Sequence, residues 1–183
     1  MLLNWGDAWE LDESVCPADM HLIEWIKRND IKNASIFHMG TGAHHRVGIT
    51  MALNGSENLV IGITACPEEY KRFLDHMLEN PFIGRCYKPF FGDIYQLDAR
   101  QLPELDIASI FHLGEFSNEI RHGINGITDA EVIDTVLSRL RHDGRVLFYK
   151  NSFGFNKIKE AIDSRFEVIE EFKTLLVCKA ISR

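Results

Sequence analysis

The sequence predicts an α/β protein: a three-layer sandwich in which helices cover both faces of a mostly parallel seven-stranded sheet that ends in an antiparallel hairpin. Apolar runs typical of buried strands alternate with segments of helical periodicity. The first apolar run leads directly into a glycine turn at 40–42. The last two strands, 166–169 and 175–180, are so close in sequence that they form a hairpin.

The elements follow in a regular order. An N-terminal arm and a lead helix occupy 1–30, and Pro17 begins that helix as proline does in a first turn. Trp5 and Trp9 in the arm either pack on the lead helix or close over a site. The other predicted strands share an apolar composition: 36–39, 59–63, 85–88, 107–113 and 146–149. The other predicted helices carry apolar residues at helical spacing: 46–53, 67–79, 128–143 and 155–165.

Length and composition restrict the class of protein. The 183 residues suit one domain, 1–183, and the fractions of hydrophobic and charged residues, 45% and 26%, are ordinary for a globular protein. The net charge of −7 argues against nucleic acid as a partner. No apolar run spans a bilayer, and the acidic N-terminus is unlike a signal peptide. Four dispersed cysteines indicate free thiols in a cytoplasmic protein.

The turn after the first strand is suited to a ligand. Gly40 and Gly42 flank Thr41, and a helix follows. Glycine permits positive φ and a close approach of the backbone to a ligand, and the N-terminus of a helix offers unpaired N–H groups. The turn is therefore typical of a nucleotide-binding site.

Gly40, Thr41 and Gly42, together with the order of elements from 17 to 182, resemble the class I S-adenosylmethionine-dependent methyltransferases. The resemblance implies that S-adenosylmethionine is the cofactor. Gly40 and Gly42 match the first two motif glycines, and Asp93 matches the acid that meets the adenine amino group. The implied cofactor contacts are therefore His38, Gly40, Thr41, Gly42, Thr64 and Asp93.

Three positions depart from the family pattern. The family usually has a third glycine near the position of His44. His38 stands where the family has Glu or Asp, and Thr64 stands where strand two usually ends with an acid that binds both ribose hydroxyls. The next acids, Glu68 and Glu69, lie a turn into the following helix and are expected to be poor replacements. Loss of an acceptor that binds both ribose hydroxyls weakens the binding free energy of the cofactor by about 1–3 kcal/mol.

The strand ends gather several histidines. In a doubly wound sheet the ligand lies beyond the carboxyl ends of the strands, so His38, His44, His45, His112 and Glu115 are expected near one crevice. Three interpretations stand: core histidines bonded to the backbone, a general base or acceptor contact, and ligands of a divalent metal. His112 and Glu115 are the catalytic candidates, and no metal ligand is assigned.

The resemblance implies methyl transfer from S-adenosylmethionine, and we expect the acceptor to be a small molecule. The chain has no large inserted recognition region, which favours a small acceptor, and the sequence leaves a homodimer open. The alternative is a non-catalytic member of the fold that binds a ligand or a protein, which Thr64 and the missing third glycine favour.

Overall fold

The structure is a computed structural model that describes residues 7–116 and 126–181. Its strands form one sheet of seven in the order β3-β2-β1-β4-β5-β7-β6. Their bounds are Ser35–Met39 (β1), Leu59–Thr64 (β2), Tyr87–Phe91 (β3), Leu105–Ile110 (β4), Leu140–Tyr149 (β5), Phe166–Phe172 (β6) and Leu175–Ala180 (β7). The first five are parallel, and β7 is antiparallel to both β5 and β6. The mostly parallel sheet and its C-terminal hairpin are thus confirmed.

Six α-helices are described. Their bounds are Ala18–Arg28 (α1), Arg46–Leu53 (α2), Pro67–Glu79 (α3), Ile83–Cys86 (α4), Asp129–Leu137 (α5) and Phe155–Asp163 (α6). Within the described ranges no helix is both long and apolar enough to cross a membrane.

Each face of the sheet has its own hydrophobic core, because successive side chains of a strand point to opposite faces. Ile36 and Leu147 belong to the core under α1 and α2. Phe37 and Phe148, their neighbours in sequence, belong to the core under α5 and α6. This alternation produces the three-layer sandwich. The parallel pairing of β1 with β4 places the carboxyl ends of these strands side by side.

The helix ends follow their sequence signals. Pro67 begins α3, with Glu68 and Glu69 in its first turn. Thr128 caps α5 in a capping box with Glu131: its hydroxyl accepts a hydrogen bond from the Glu131 N–H, and the Glu131 carboxylate accepts one from the Thr128 N–H. His45 precedes α2 in the left-handed conformation, with φ 45°.

Several predicted boundaries are wrong. Residues 85 and 86, predicted to begin the third strand, belong to α4, and residues 90 and 91 belong to β3 rather than to a turn, because Phe90 and Phe91 pair with Ile63 and Thr64. The helix predicted to continue to 143 ends at Leu137, and β5 starts at Leu140, which pairs with Leu105. For β3 and β5, pairing with a neighbouring strand outweighs the local signal. β4 ends at Ile110, where its pairing with β1 also ends, rather than at 113.

Candidate functional site

A cavity of about 500 Å³ opens beyond the carboxyl ends of the parallel strands. This is the position at which doubly wound sheets bind ligands, and the volume lies within the usual range for small-molecule sites. The predicted site residues that line it come from the segments after β1, β2, β3 and β4: Gly40, Thr41, Gly42, Thr64, Asp93, His112 and Glu115. The N-terminal arm covers the cavity with Trp9, Val15 and Cys16.

The glycine turn is closely covered. Gly40 has φ 94° and Gly42 has φ 56°, so both adopt the conformation that favours glycine. A Cβ on Gly40 would lie 2.8 Å from the His112 ring, and one on Gly42 would lie 2.5 Å from the His44 ring. Neither position has room for a side chain, so the turn presents only its backbone at the cavity wall.

The arm is hydrogen-bonded to the rim of this turn. The Ala43 N–H donates to the carbonyl oxygen of Trp9 at 2.7 Å. The Trp9 N–H in turn donates to the Glu69 carboxylate at 3.1 Å. Trp9 therefore borders the cavity, whereas Trp5 lies outside the described residues.

Glu69, which the sequence suggested to be a poor replacement for an acid at the end of β2, lies on the cavity wall. Its side chain is buried, lines the cavity, and accepts hydrogen bonds from the Thr64 hydroxyl and the Trp9 N–H. Burial raises the pKa of this carboxyl group, and the hydrogen bonds from Thr64 and Trp9 oppose that rise. Pro67 and the acids of the first turn predict where α3 begins, but only the packing of α3 beside the end of β2 selects Glu69 rather than Glu68 for the cavity wall.

His38 does not line the cavity. Its ring is 1% exposed and points to the face of the sheet covered by α1. Nδ1 lies 2.8 Å from the Ser109 hydroxyl on β4, and Nε2 lies 3.5 Å from a carboxylate oxygen of Asp19 on α1. The expected contact between His38 and a cofactor therefore finds no support in its position, because an even-numbered β1 position here faces α1 rather than the strand end.

His44 and His45 also point away from the cavity. The His45 ring lies between the Tyr87 hydroxyl, which is 2.6 Å from Nδ1, and the Glu69 carbonyl oxygen, to which Nε2 donates at 2.7 Å. Burial lowers the pKa of His45 to about 4. His44 Nδ1 accepts a hydrogen bond from the Arg46 N–H, and burial lowers its pKa too. The expected gathering of all four histidines in one crevice is therefore wrong, since only His112 borders it.

His112 and Glu115 form a hydrogen-bonded pair at the cavity wall. His112 Nδ1 lies 3.1 Å from Glu115 Oε1. The same oxygen accepts from the Ser152 hydroxyl at 2.6 Å and from the Phe153 N–H at 3.1 Å. The Ser152 hydroxyl and the Phe153 N–H orient the carboxylate, and the carboxylate in turn orients the His112 imidazole.

The pair is charged. Burial alone would lower the pKa of His112, but its contacts with Cys16 and Glu115 outweigh burial and raise the pKa to about 10. Burial alone would raise the pKa of Glu115, but the hydrogen bond with His112 outweighs burial and lowers the pKa. At neutral pH the pair is therefore imidazolium and carboxylate.

Two further polar groups border the cavity. Asp93 is buried, caps a short 3₁₀ helix and accepts a hydrogen bond from the Tyr95 N–H at 3.1 Å. Thr41 is 1% exposed, and its hydroxyl has no hydrogen-bond partner within the described ranges. A buried hydroxyl without a partner is costly, so a ligand that bonds to Thr41 would relieve that cost.

Metal ligation has no support in this geometry. In the part of the chain that the structure describes, no group of three or more His, Cys, Asp or Glu side chains is arranged to hold a metal ion.

Comparison of sequences gives no relative: no protein-family model matches the chain, and no curated protein matches it. Comparison of structures gives many. A putative S-adenosyl-L-methionine-dependent methyltransferase from Methanococcus maripaludis has a TM-score of 0.65 and 10% identity over 92% of this chain and 87% of that one. Magnesium protoporphyrin IX methyltransferase (ChlM) from Synechocystis, with bound SAM, has a TM-score of 0.61 and 14% identity over 97% and 87%.

A third similar structure is named for a reaction other than methyl transfer. The [4+2]-cyclase SpnF has a TM-score of 0.61 and 15% identity over 92% of this chain. The chain spans less than two thirds, 64%, of the length of that cyclase. At such identities the likeness concerns the fold. The sheet order, the cavity beyond the strand ends and these structural matches agree: this chain has the class I S-adenosylmethionine-dependent methyltransferase fold.

Proposed function

We propose that the protein binds S-adenosylmethionine in this cavity and transfers its methyl group to a small molecule. The observation that carries the proposal is the joint placement of the glycine turn, Glu69 and Asp93 on the wall of one cavity. These are the three kinds of group with which the fold holds the cofactor: a close backbone, an acid near the end of β2 and an acid after β3.

The residues present fit such a guest. The glycine turn lines the cavity, and because neither glycine position has room for a side chain, the turn offers a ligand only backbone groups. Glu69 uses two acceptor positions for Thr64 and Trp9. A carboxylate has about four lone-pair sites, so Glu69 retains acceptor capacity for a pair of ribose hydroxyls. Met39, Ile63 and Ile94 supply apolar lining.

When bound, the cofactor supplies an electrophilic methyl group on a sulfonium ion. The task of the protein is then mainly to position the acceptor and to exclude water. The His112 ring lies against Gly40 of the glycine turn, and its raised pKa makes it a hydrogen-bond donor at neutral pH. We therefore expect His112, held by Glu115, to orient an acceptor that already carries negative charge or a lone pair.

A thermal-shift titration tests the proposal. A ligand that binds only the folded state stabilises it by about 2.7 kcal/mol at a concentration of 100 Kd. Both S-adenosylmethionine and S-adenosylhomocysteine should raise the midpoint of unfolding in a saturable manner, whereas methionine and adenosine added separately should raise it far less. An unchanged midpoint at millimolar S-adenosylmethionine would refute cofactor binding.

A second candidate is a ligand-binding protein, or one with another chemistry, on the same fold. Thr64 rather than an acid ends β2, and the Trp9 backbone already engages both Glu69 and the Ala43 N–H. The likeness to the cyclase SpnF shows that the fold occurs in a protein named for a reaction other than methyl transfer. Binding of the cofactor without turnover across a panel of small acceptors would favour this candidate.

A further inference from the structure

Cys16 lies where the arm meets α1, and it borders the cavity. Its backbone N–H donates to the Asp12 carbonyl oxygen at 2.8 Å, which fixes the turn before the helix. Cys16 is partly exposed. The other thiol on the cavity wall, Cys66, is buried.

The sulfur faces the free side of the oriented histidine. Cys16 Sγ lies 3.9 Å from His112 Nε2, while His112 Nδ1 lies 3.1 Å from Glu115. A thiol, an imidazole and a carboxylate are thus arranged in series, and Ser152 and the Phe153 N–H hold the carboxylate. This is the order of groups in which a base activates a nucleophile and a third group orients the base.

We propose that Cys16, His112 and Glu115 form a nucleophilic triad, and that the cavity accepts an activated acyl compound, an ester or a thioester, as the substrate of the Cys16 thiol. This goes beyond methyl transfer and does not depend on cofactor binding. His112 Nε2 shares the thiol proton with the Cys16 sulfur, and Glu115 holds the opposite ring nitrogen in place.

The reaction needs no reagent other than water. The sulfur attacks the carbonyl carbon and forms a thioester, the bond to the alcohol or thiol leaving group breaks, and the leaving group takes the proton from His112 Nε2. Water then attacks the thioester and gives a proton to His112, which returns it to the sulfur as the acid leaves. The net reaction is hydrolysis of the ester or thioester.

Two donors on the wall suit the developing oxyanion or the substrate. Tyr149 lines the cavity, and burial, together with the adjacent Cys16, raises its pKa to about 12, so that its hydroxyl keeps its proton. Thr41 supplies a buried hydroxyl that lacks a partner within the described part of the chain. The Thr41 hydroxyl is an independent sign that this cavity receives a polar ligand.

The test uses p-nitrophenyl acetate with the whole protein and no S-adenosylmethionine. We expect release of p-nitrophenol and an acetyl group on the Cys16 peptide by mass spectrometry. Cys16→Ala should abolish both, and His112→Asn should slow acetylation at least about 100-fold, the typical contribution of a positioned base. Cys86→Ala, at a thiol that does not line the cavity, should leave the rate unchanged.

Alkylation by iodoacetamide shows whether His112 and Glu115 activate the Cys16 thiol or only stabilise the fold. In the wild type, Cys16 should be alkylated much faster than Cys86 at pH 7, and His112→Asn and Glu115→Gln should each remove that difference. Acetyl groups spread over several cysteines, or equal alkylation rates for Cys16 and Cys86 in the wild type, would overturn the proposal. Because no cofactor is present, that result would leave cofactor binding unaffected.

Discussion

The backbone N–H of Trp9 donates a 3.1 Å hydrogen bond to the carboxylate of Glu69, which joins the N-terminal arm to the first turn of α3 across the cavity. Thr64 donates to the other carboxylate oxygen from the end of β2. A buried carboxylate from α3 thus lies beside the end of β2, and the arm and the strand together fix its position.

Glu69→Gln should weaken S-adenosylhomocysteine binding about tenfold, because an amide offers one acceptor oxygen where the carboxylate offers two. Glu68→Gln is the matched control: Glu68 is the neighbouring, exposed acid and pairs with Arg72. Dissociation constants from equilibrium dialysis give the comparison. Equal affinities for the two variants would show that Glu69 does not contact the ligand.

Gly42→Val should abolish ligand binding, because a side chain there would collide with the His44 ring and lie 3.0 Å from the Trp9 carbonyl oxygen. Gly55→Val is the control for backbone strain: Gly55 also has positive φ, at 73°, but a Cβ there has no atom within 4 Å. Both variants should lose stability, and only Gly42→Val should lose the thermal shift produced by the ligand. Retained binding in folded Gly42→Val would contradict our placement of the site.

Acid should destabilise the protein through His45. Its pKa is about 4 in the folded state and about 6.5 when unfolded, so between these values the unfolded state binds more protons. The contribution to stability is complete above pH 6.5 and is lost as the pH falls through 4, and it amounts to roughly 3 kcal/mol.

His45→Asn tests that contribution, since asparagine tolerates the left-handed backbone at this position. We expect a lower midpoint of denaturant unfolding at pH 7, but a shallower loss between pH 6.5 and 4 than in the wild type. Identical slopes would show that another group controls the acid transition.

Phe148→Ala should cost about 3–5 kcal/mol in the free energy of unfolding, because the ring is fully buried in the core under α5 and α6. Phe153→Ala removes the same atoms from a side chain that is 93% exposed and should change stability by less than about 0.5 kcal/mol. Urea denaturation of both variants gives the difference. A similar cost for both would contradict the assignment of Phe148 to the core.

The sequence predicts a helix or strand correctly where a local pattern alone determines it. Pro67 and Thr128 mark helix starts, and the apolar runs of β1 and β2 mark buried strands. The start of β5 could not be read, because Leu140 belongs to a strand only through its pairing with Leu105.

The site was predictable in part for the same reason. Gly40, Gly42 and His112 follow strand ends, and topology brings strand ends together. The orientation of His38 and His45 depends on Asp19, Ser109 and Tyr87, which are distant in sequence. Glu69 and Cys16 enter the cavity through the packing of α3 and of the arm, which no local pattern specifies.

Isothermal titration calorimetry with S-adenosylhomocysteine tests the central claim most directly, because it needs no knowledge of the methyl acceptor. The account predicts one site per chain with a dissociation constant in the micromolar range, about −8 kcal/mol. Absence of any binding heat at millimolar ligand, at two temperatures, would contradict it.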